Sequence, residues 1–97
     1  MASAELDPAA PIARSPEAVF APGPPENFIM HLTSGRCVSV DDAGVRIWEL
    51  LESPRSLSEL VDRLAQEFSG DRDAIAADVR AFVLALRDCE LALPSPQ

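Results

Sequence analysis

Residues 27–51 carry the sequence NFIMHLTSGRCVSVDDAGVRIWELL, in which two short apolar runs flank a turn and lead into a helix. In the first run the apolar side chains of Phe28, Met30 and Leu32 alternate with their neighbours, which predicts a strand with one buried face. Thr33–Arg36 has the composition of a turn, and Cys37–Val40 has the alternation of a returning strand. This stretch therefore predicts a β-hairpin.

Three helices are predicted after the hairpin. In the first, Asp41 or Asp42 can cap the N-terminus, and the apolar side chains recur at the spacing of one helical face. The residues on this face are Gly44, Ile47, Trp48 and Leu51. Trp48 is the only tryptophan, and its place on that face predicts a core residue. Pro54 ends this helix, and Ser56 with Glu59 forms a capping box that begins the second.

The third helix opens at Asp71 and presents its own apolar stripe of Ile75, Val79, Phe82, Val83 and Leu86. A three-helix cluster and a small sheet of two to three antiparallel strands each need a partner to bury their apolar faces. The predicted fold class is therefore α+β, with a winged-helix arrangement in residues 27–93. Residues 1–26 hold six of the nine prolines and predict an extended or flexible arm, with a possible edge strand at 17–21. Residues 94–97 are expected to be a disordered tail.

The charge of the chain excludes several classes of partner. Sixteen acidic residues face eight basic residues, all of them arginine, and the formal net charge is −8. Nucleic acids and anionic membranes are recognised by clustered Lys and Arg, so neither is expected as a partner. The acidic start of the third helix also disfavours DNA binding by this winged helix. The N-terminus has acidic residues where a secretory signal carries basic ones, and we expect a cytoplasmic protein.

Sequence patterns that would indicate an enzyme are missing, and we expect no catalytic residue, metal or cofactor. His31 is the single histidine, and its position in the hairpin is typical of a residue on the solvent side of a sheet. Cys37 and Cys89 lack the spacing of a metal site and are expected to be free and mostly buried thiols. The four glycines stand apart and form no phosphate-binding loop.

One flank of the third helix could contact a ligand. Beside the core stripe, this flank carries small side chains and a single carboxylate: Ala74, Asp78, Ala81 and Ala85. Small side chains allow a close approach, so an extended peptide that pairs with a neighbouring strand could lie against this flank. Spacing alone favours the interpretation of an ordinary exposed helix face, because alanine is the best helix former.

The segment from Met30 to Leu51 resembles the PqqD family, in which a turn-linked hairpin leads to a Gly-x-x-Ile-Trp-x-Leu-Leu helix. The resemblance extends over about residues 27–93 and is greatest to the stand-alone members found in lasso-peptide biosynthesis. It implies a RiPP recognition element, which is a domain that captures the leader segment of a ribosomally made precursor peptide. Such a domain presents the peptide to a modifying enzyme and catalyses nothing itself.

In this family the leader adds to the last strand of the sheet and lies beside the third helix. The resemblance therefore implies a peptide-binding site on one strand and one helix, composed of Arg36, Cys37, Val38, Ser39, Val40, Asp78, Ala81, Phe82 and Ala85. The expected partners are the leader and a cognate modifying enzyme. In lasso-peptide biosynthesis that enzyme is a leader peptidase with a cyclase, and in pyrroloquinoline quinone biosynthesis it is a radical enzyme. A docking adaptor without a peptide groove is the alternative.

The chain departs from the family pattern at two positions. Asp41-Asp42 replaces an asparagine that often precedes the first helix, and Cys89-Glu90 replaces a glycine that often ends the third. The charge of the chain predicts a leader that carries Lys or Arg, with Asp78 as the counter-charge. Leu84, on the far side of the third helix, is a candidate contact for the enzyme. Either a monomer or a homodimer is expected, because an open sheet edge can also pair with a second copy.

Overall fold

The computed structural model describes residues 7–94, which form two small sheets around three helices. In chain order the elements are β1 (Pro11–Arg14), β2 (Ala18–Ala21), β3 (Asn27–His31), β4 (Cys37–Val40), α1 (Asp42–Leu50), β5 (Arg55–Ser56), α2 (Leu57–Glu67), α3 (Arg72–Asp88) and β6 (Ala92–Pro94). The predicted α+β class, the hairpin and the three helices are confirmed.

The first sheet is antiparallel, with the strand order β2-β3-β4. Ile29 lies opposite Phe20 on one side and Val38 on the other, so these three side chains share one face of the sheet. This face is turned toward the helices, and Ile29 is completely buried there. The side chains of β3 alternate between two faces, and the face that contains Ile29 is the buried one. Phe28 and Met30 were predicted to be buried but lie on the outer face.

The second sheet has the strand order β5-β1-β6 and is also antiparallel. Its central strand, β1, lies in a part of the proline-rich arm for which no strand is predicted, because β1 pairs with residues far along the chain. Ile12 is buried in the common core. Pro94, expected in the disordered tail, instead pairs with Ile12, and residues 95–97 lie outside the described residues. The division of the chain at residue 27 remains a prediction.

Side-chain caps fix where the helices begin. The Asp41 carboxylate accepts a hydrogen bond from the Gly44 N–H at the start of α1. Ser56 and Glu59 form the predicted capping box at the start of α2. At the end of α3, Glu90 adopts the left-handed conformation with φ 59° that a glycine would otherwise supply. The next residue, Leu91, is fully buried, so this turn returns the chain to the core.

The core lies where α1, α2 and α3 meet the two sheets, and Trp48 contributes to it as predicted. The Arg14 guanidinium lies 4.6 Å from the centre of the Trp48 ring and donates hydrogen bonds to the Trp48 carbonyl oxygen. This contact fastens β1 to α1. Among residues 7–94, no helix has the length and apolar character required to span a bilayer.

Candidate peptide-binding site

The free edge of β4 is the first part of the candidate site. In the first sheet β4 pairs only with β3, so its other side is open. The His31 N–H donates to the Arg36 carbonyl oxygen at 2.8 Å, which identifies that pair as hydrogen-bonded. Because bonded and non-bonded pairs alternate, Val38 and Val40 also bond to β3. The main-chain groups of Cys37 and Ser39 must therefore point to the open edge.

A groove of about 530 Å³ lies next to this edge, between β4, α1 and α3. Its apolar lining comes mainly from three helices: Ile47, Leu64, Phe68, Ile75, Val79 and Phe82. Ser39, Asp41, Asp78 and Ala81 also line it. The groove is consequently apolar within and carries two carboxylates.

The two ends of the site differ in charge. Asp41 and Asp78 are exposed at the groove, near the end of β4, and give that end negative potential. At the beginning of β4, the Arg36 Nη1 donates a 3.0 Å hydrogen bond to the Asp88 carbonyl oxygen at the end of α3. An extended peptide on this edge would therefore pass from an acidic end to one occupied by a guanidinium.

Gly44 allows the three walls of the groove to meet. A Cβ atom at this position would lie 2.7 Å from Val40 Cγ1 and 3.1 Å from Phe82 Cε1. Both distances are shorter than ordinary carbon–carbon contacts, so only glycine permits this approach of α1. Val40 and Phe82 are thereby held against the start of α1, which sets the separation of β4 from α3.

The structure brings Ser39, Asp78, Ala81 and Phe82 together around the groove, and their role in binding stays a prediction. The remaining residues predicted for the site take different places. Ala85 lies one turn beyond Ala81 and is half-buried, Val38 and Val40 face the core, and Cys37 faces the outside of the sheet. Their role in binding remains a prediction.

Apart from Phe82, sequence reasoning missed the apolar lining of the groove. Phe68 and Ile75 have the helical spacing of core residues and were assigned to the core stripes of α2 and α3. In the structure Phe68 is exposed and Ile75 is only partly buried, because α2 ends at Glu67 and the chain turns at Gly70. Their helical spacing does not separate such residues from the core, but their place at a helix end could have indicated exposure.

The structure places His31 and Cys37 differently from the prediction, which put His31 on the solvent side of the sheet and expected a mostly buried thiol at Cys37. His31 lies on the core side of the sheet and is half-buried, where its Nδ1 accepts hydrogen bonds from the N–H groups of Thr33 and Ser34. It thus stabilises the hairpin turn. Both cysteines are free, but Cys37 is exposed because its side chain lies on the outer face. The described residues contain no cluster of His, Cys, Asp and Glu that could hold a metal ion.

In this α+β winged-helix domain, an open strand edge lies above a helix-lined groove, an arrangement that can accept an extended peptide by strand addition. The family model described as coenzyme PQQ synthesis protein D (PqqD) matches residues 26–92. The chain therefore belongs to the PqqD family, as its sequence resemblance predicted.

Three relatives illustrate the similarity. TbiB1, solved in complex with the TbiA(beta) leader peptide, is 34% identical, with a TM-score of 0.71 over 88% of this chain and 99% of that one. A lasso peptide synthetase B1 complexed with its leader peptide is 23% identical, with a TM-score of 0.69 over 86% and 98% of the two chains. The PqqD part of Methylobacterium extorquens PqqCD, described as a stand-alone RiPP recognition element, is 14% identical, with a TM-score of 0.73 over 93% and 96%. At 23% and 14% identity, the last two similarities show that the fold is shared and nothing further.

The curated relatives carry a different description. A PqqA binding protein of Rhodopseudomonas palustris strain BisB5 is 37% identical over 57 residues, which are 59% of this chain and 56% of that protein. The corresponding protein of strain HaA2 matches to the same extent. The match thus spans little more than half the length of these relatives.

Proposed function

We propose that this chain binds the leader segment of a ribosomally synthesised precursor peptide as an added strand on β4 and presents it to modifying enzymes. The observation that carries this proposal is the open edge of β4 beside an apolar groove. Main-chain hydrogen bonds to Cys37 and Ser39 would give affinity that tolerates different sequences. Side chains of the peptide that enter the groove would set the register.

In this proposal the residues of the site have distinct roles. Val38 and Val40 support the strand from the core side, and Asp78, Ala81, Phe82 and Ala85 form the wall against which the peptide lies. Arg36 closes the far end. The module performs no chemistry and acts in the cytoplasm, where precursor peptides are translated.

The pathway that we propose is lasso-peptide biosynthesis, with a leader peptidase and a cyclase as the enzymes that receive the peptide. The sequence resemblance to the stand-alone members found in lasso-peptide biosynthesis supports this pathway, and the similarity to TbiB1, which was solved with a leader peptide, supports leader binding. The second candidate is a peptide chaperone of pyrroloquinoline quinone biosynthesis that delivers its precursor to a radical enzyme. The similarity to the PqqA binding proteins favours that candidate.

A substitution in β4 tests strand addition directly. Ser39→Pro removes an N–H that faces the open edge and leaves the hydrogen bonds between β3 and β4 in place, which an edge strand tolerates. Ser39→Ala is the matched control, because it keeps the main-chain N–H. Fluorescence polarisation should measure both variants with labelled leader segments of the precursor peptides encoded beside this gene.

We expect the wild-type chain to bind one leader with micromolar or tighter affinity. The Ser39→Pro variant should lose affinity by about tenfold or more, since it loses a hydrogen bond and gains a ring at the contact, whereas Ser39→Ala should stay within about twofold. Leaders from the two kinds of gene cluster would separate the two pathways. A folded wild-type chain that binds none of them would instead support the adaptor without a peptide groove.

A further inference from the structure

The outer face of the first sheet is apolar although it faces away from the core. Val19 lies opposite Met30, and Met30 lies opposite Cys37, so one row of apolar or sulfur-containing side chains crosses all three strands. Val19, Phe28 and Met30 are 36%, 37% and 36% exposed. The outer face of a small antiparallel sheet is ordinarily polar, and a continuous apolar patch there indicates a contact surface.

Carboxylates flank this outer face. Glu17 accepts a hydrogen bond from the Thr33 hydroxyl beside the hairpin turn, and Glu26 accepts one of 2.7 Å from Ser39 Oγ at the other end of the sheet. These bonds hold both acidic groups at the rim of the apolar row. The guanidinium of Arg36, at the start of β4, is directed to α3 and so does not neutralise the rim.

We infer that this outer face, defined by Val19, Phe28 and Met30, docks a partner protein whose contact surface is apolar at its centre and basic at its rim. The inference rests on the proposed function in one respect, which is that the partner is the enzyme that acts on the bound peptide. Charge selects this partner over a second copy of the chain. Two copies would bring their acidic rims together, and each carries a net charge of −8.

The docking face and the peptide-binding edge belong to the same sheet. A peptide that adds to β4 continues the sheet, and its side chains alternate between the groove and the outer face. Those on the outer face extend the row that runs from Val19 through Met30 to Cys37. A partner on this face therefore touches both the module and the peptide, so it binds the loaded module more tightly than the empty one.

A pair of substitutions separates docking from peptide binding. Phe28→Ser combined with Met30→Ser removes the centre of the outer face without changing the edge of β4 or the groove. Leu93→Ser is the matched control, because Leu93 is 39% exposed on the second sheet. Biolayer interferometry should measure the binding of each purified variant to the purified leader peptidase and cyclase encoded beside this gene, with and without saturating leader.

We expect the double variant to lose at least about tenfold in affinity for one of these enzymes and to keep its leader affinity within about twofold. The Leu93→Ser variant should match the wild type in both measurements. Reversing the rim charges with Glu17→Arg and Glu26→Arg should also weaken docking and reduce its dependence on salt.

Three outcomes would overturn the inference. The first is a double variant that binds the enzymes as the wild type does, and the second is a wild-type chain that binds neither enzyme. The third is a dimer in analytical ultracentrifugation that the double variant abolishes, which would assign the face to self-association. Binding of the enzyme is also measured without leader. If the chain binds an enzyme but no leader, the proposed function is refuted and the inference about the docking face is not.

Discussion

Arg36 and Asp88 join the start of the open strand to the end of the third helix. The Arg36 Nη1 donates a hydrogen bond of 3.0 Å to the Asp88 carbonyl oxygen, across 52 residues of sequence. The C-terminus of a helix carries partial negative charge, so a guanidinium is stabilised at that position. This contact holds the start of β4 beside the C-terminal end of α3. The groove lies near the other end of β4.

Replacing Arg36 should weaken both the fold and peptide binding. Arg36→Gln removes a hydrogen bond within the folded chain, so the free energy of unfolding should fall by about 0.5–1.5 kcal/mol. Because this bond holds the start of β4 beside α3, we expect leader affinity to fall as well, by about two- to tenfold. Fluorescence polarisation measures the affinity, and urea unfolding measures the stability. Arg63→Gln is the control, since Arg63 pairs with Glu67 on α2, away from the strand edge. Equal leader affinity of the Arg36 variant and the wild type would refute this role.

Gly44 tests whether the close approach of α1 shapes the groove. The new methyl group of Gly44→Ala would meet Val40 and Phe82 at 2.7 and 3.1 Å. Overpacking costs about 1–3 kcal/mol and alanine returns about 1 kcal/mol of helix propensity, so the free energy of unfolding should fall by about 1 kcal/mol. Urea unfolding measures it. In a Val40→Ala background the loss should be smaller, because the closer of the two contacts is relieved, and an unchanged loss there would contradict the proposed clash.

The sequence predicted those parts of the fold that depend on neighbouring residues. The hairpin, the Asp41 cap and the Ser56 capping box each rest on residues within a few positions of one another. The second sheet could not be predicted in this way. Its strands have two to four residues, and β1 pairs with partners more than 40 positions away. Pairing of this kind leaves no local period in the sequence.

The face of β3 was also not determined by its sequence. Apolar side chains occupy both alternating sets, so the pattern alone cannot say whether Ile29 or Met30 faces the core. The packing of the helices decides in favour of Ile29. Of the candidate site, helical spacing indicated the flank of α3 and the resemblance to the PqqD family indicated the strand, whereas the depth of the groove depends on where α2 ends and could not be foreseen.

Glu90 offers a test of the turn that follows α3. Its φ of 59° lies in the left-handed region, which is unfavourable for side chains other than glycine. We expect Glu90→Gly to raise the free energy of unfolding by about 0.5–1 kcal/mol, because glycine is favoured at this position after a helix. Urea unfolding would detect the gain. Glu90→Ala serves as the control, since it removes the carboxylate and keeps the strain, and an equal gain there would assign the effect to charge.

Asp78 tests whether charge selects the peptide. Its carboxylate is exposed at the groove, where an ion pair with a Lys or Arg of the leader would contribute about 0.2–1 kcal/mol. Asp78→Asn should therefore weaken binding of a basic leader by about 1.5- to fivefold and make it less sensitive to salt. Asp73→Asn, an equally exposed change at the start of the same helix, is the control. If both variants bind like the wild type, charge does not select the leader at this site.

Arg46 and Glu67 connect α1 to α2 by two hydrogen bonds of 2.7 and 3.0 Å. The Arg46 guanidinium, chiefly through these bonds, lowers the pKa of the Glu67 carboxyl below its ordinary value. A carboxyl group whose pKa is lower in the folded state stabilises the fold when the pH is above the unfolded pKa, which is about 4.3 for glutamate. This stabilisation is lost as the pH falls through the pKa of the folded state. The pair thus contributes at neutral pH and is lost in acid.

This linkage predicts how a variant responds to pH. Glu67→Gln should unfold more easily than the wild type at pH 7, and the difference should shrink when urea unfolding is repeated at a pH below the folded pKa of Glu67. Glu52→Gln, at an exposed site after α1, is the control, because it removes one carboxylate without touching the pair. A difference between Glu67→Gln and the wild type that stays constant with pH would show that packing, and not the ion pair, joins these helices.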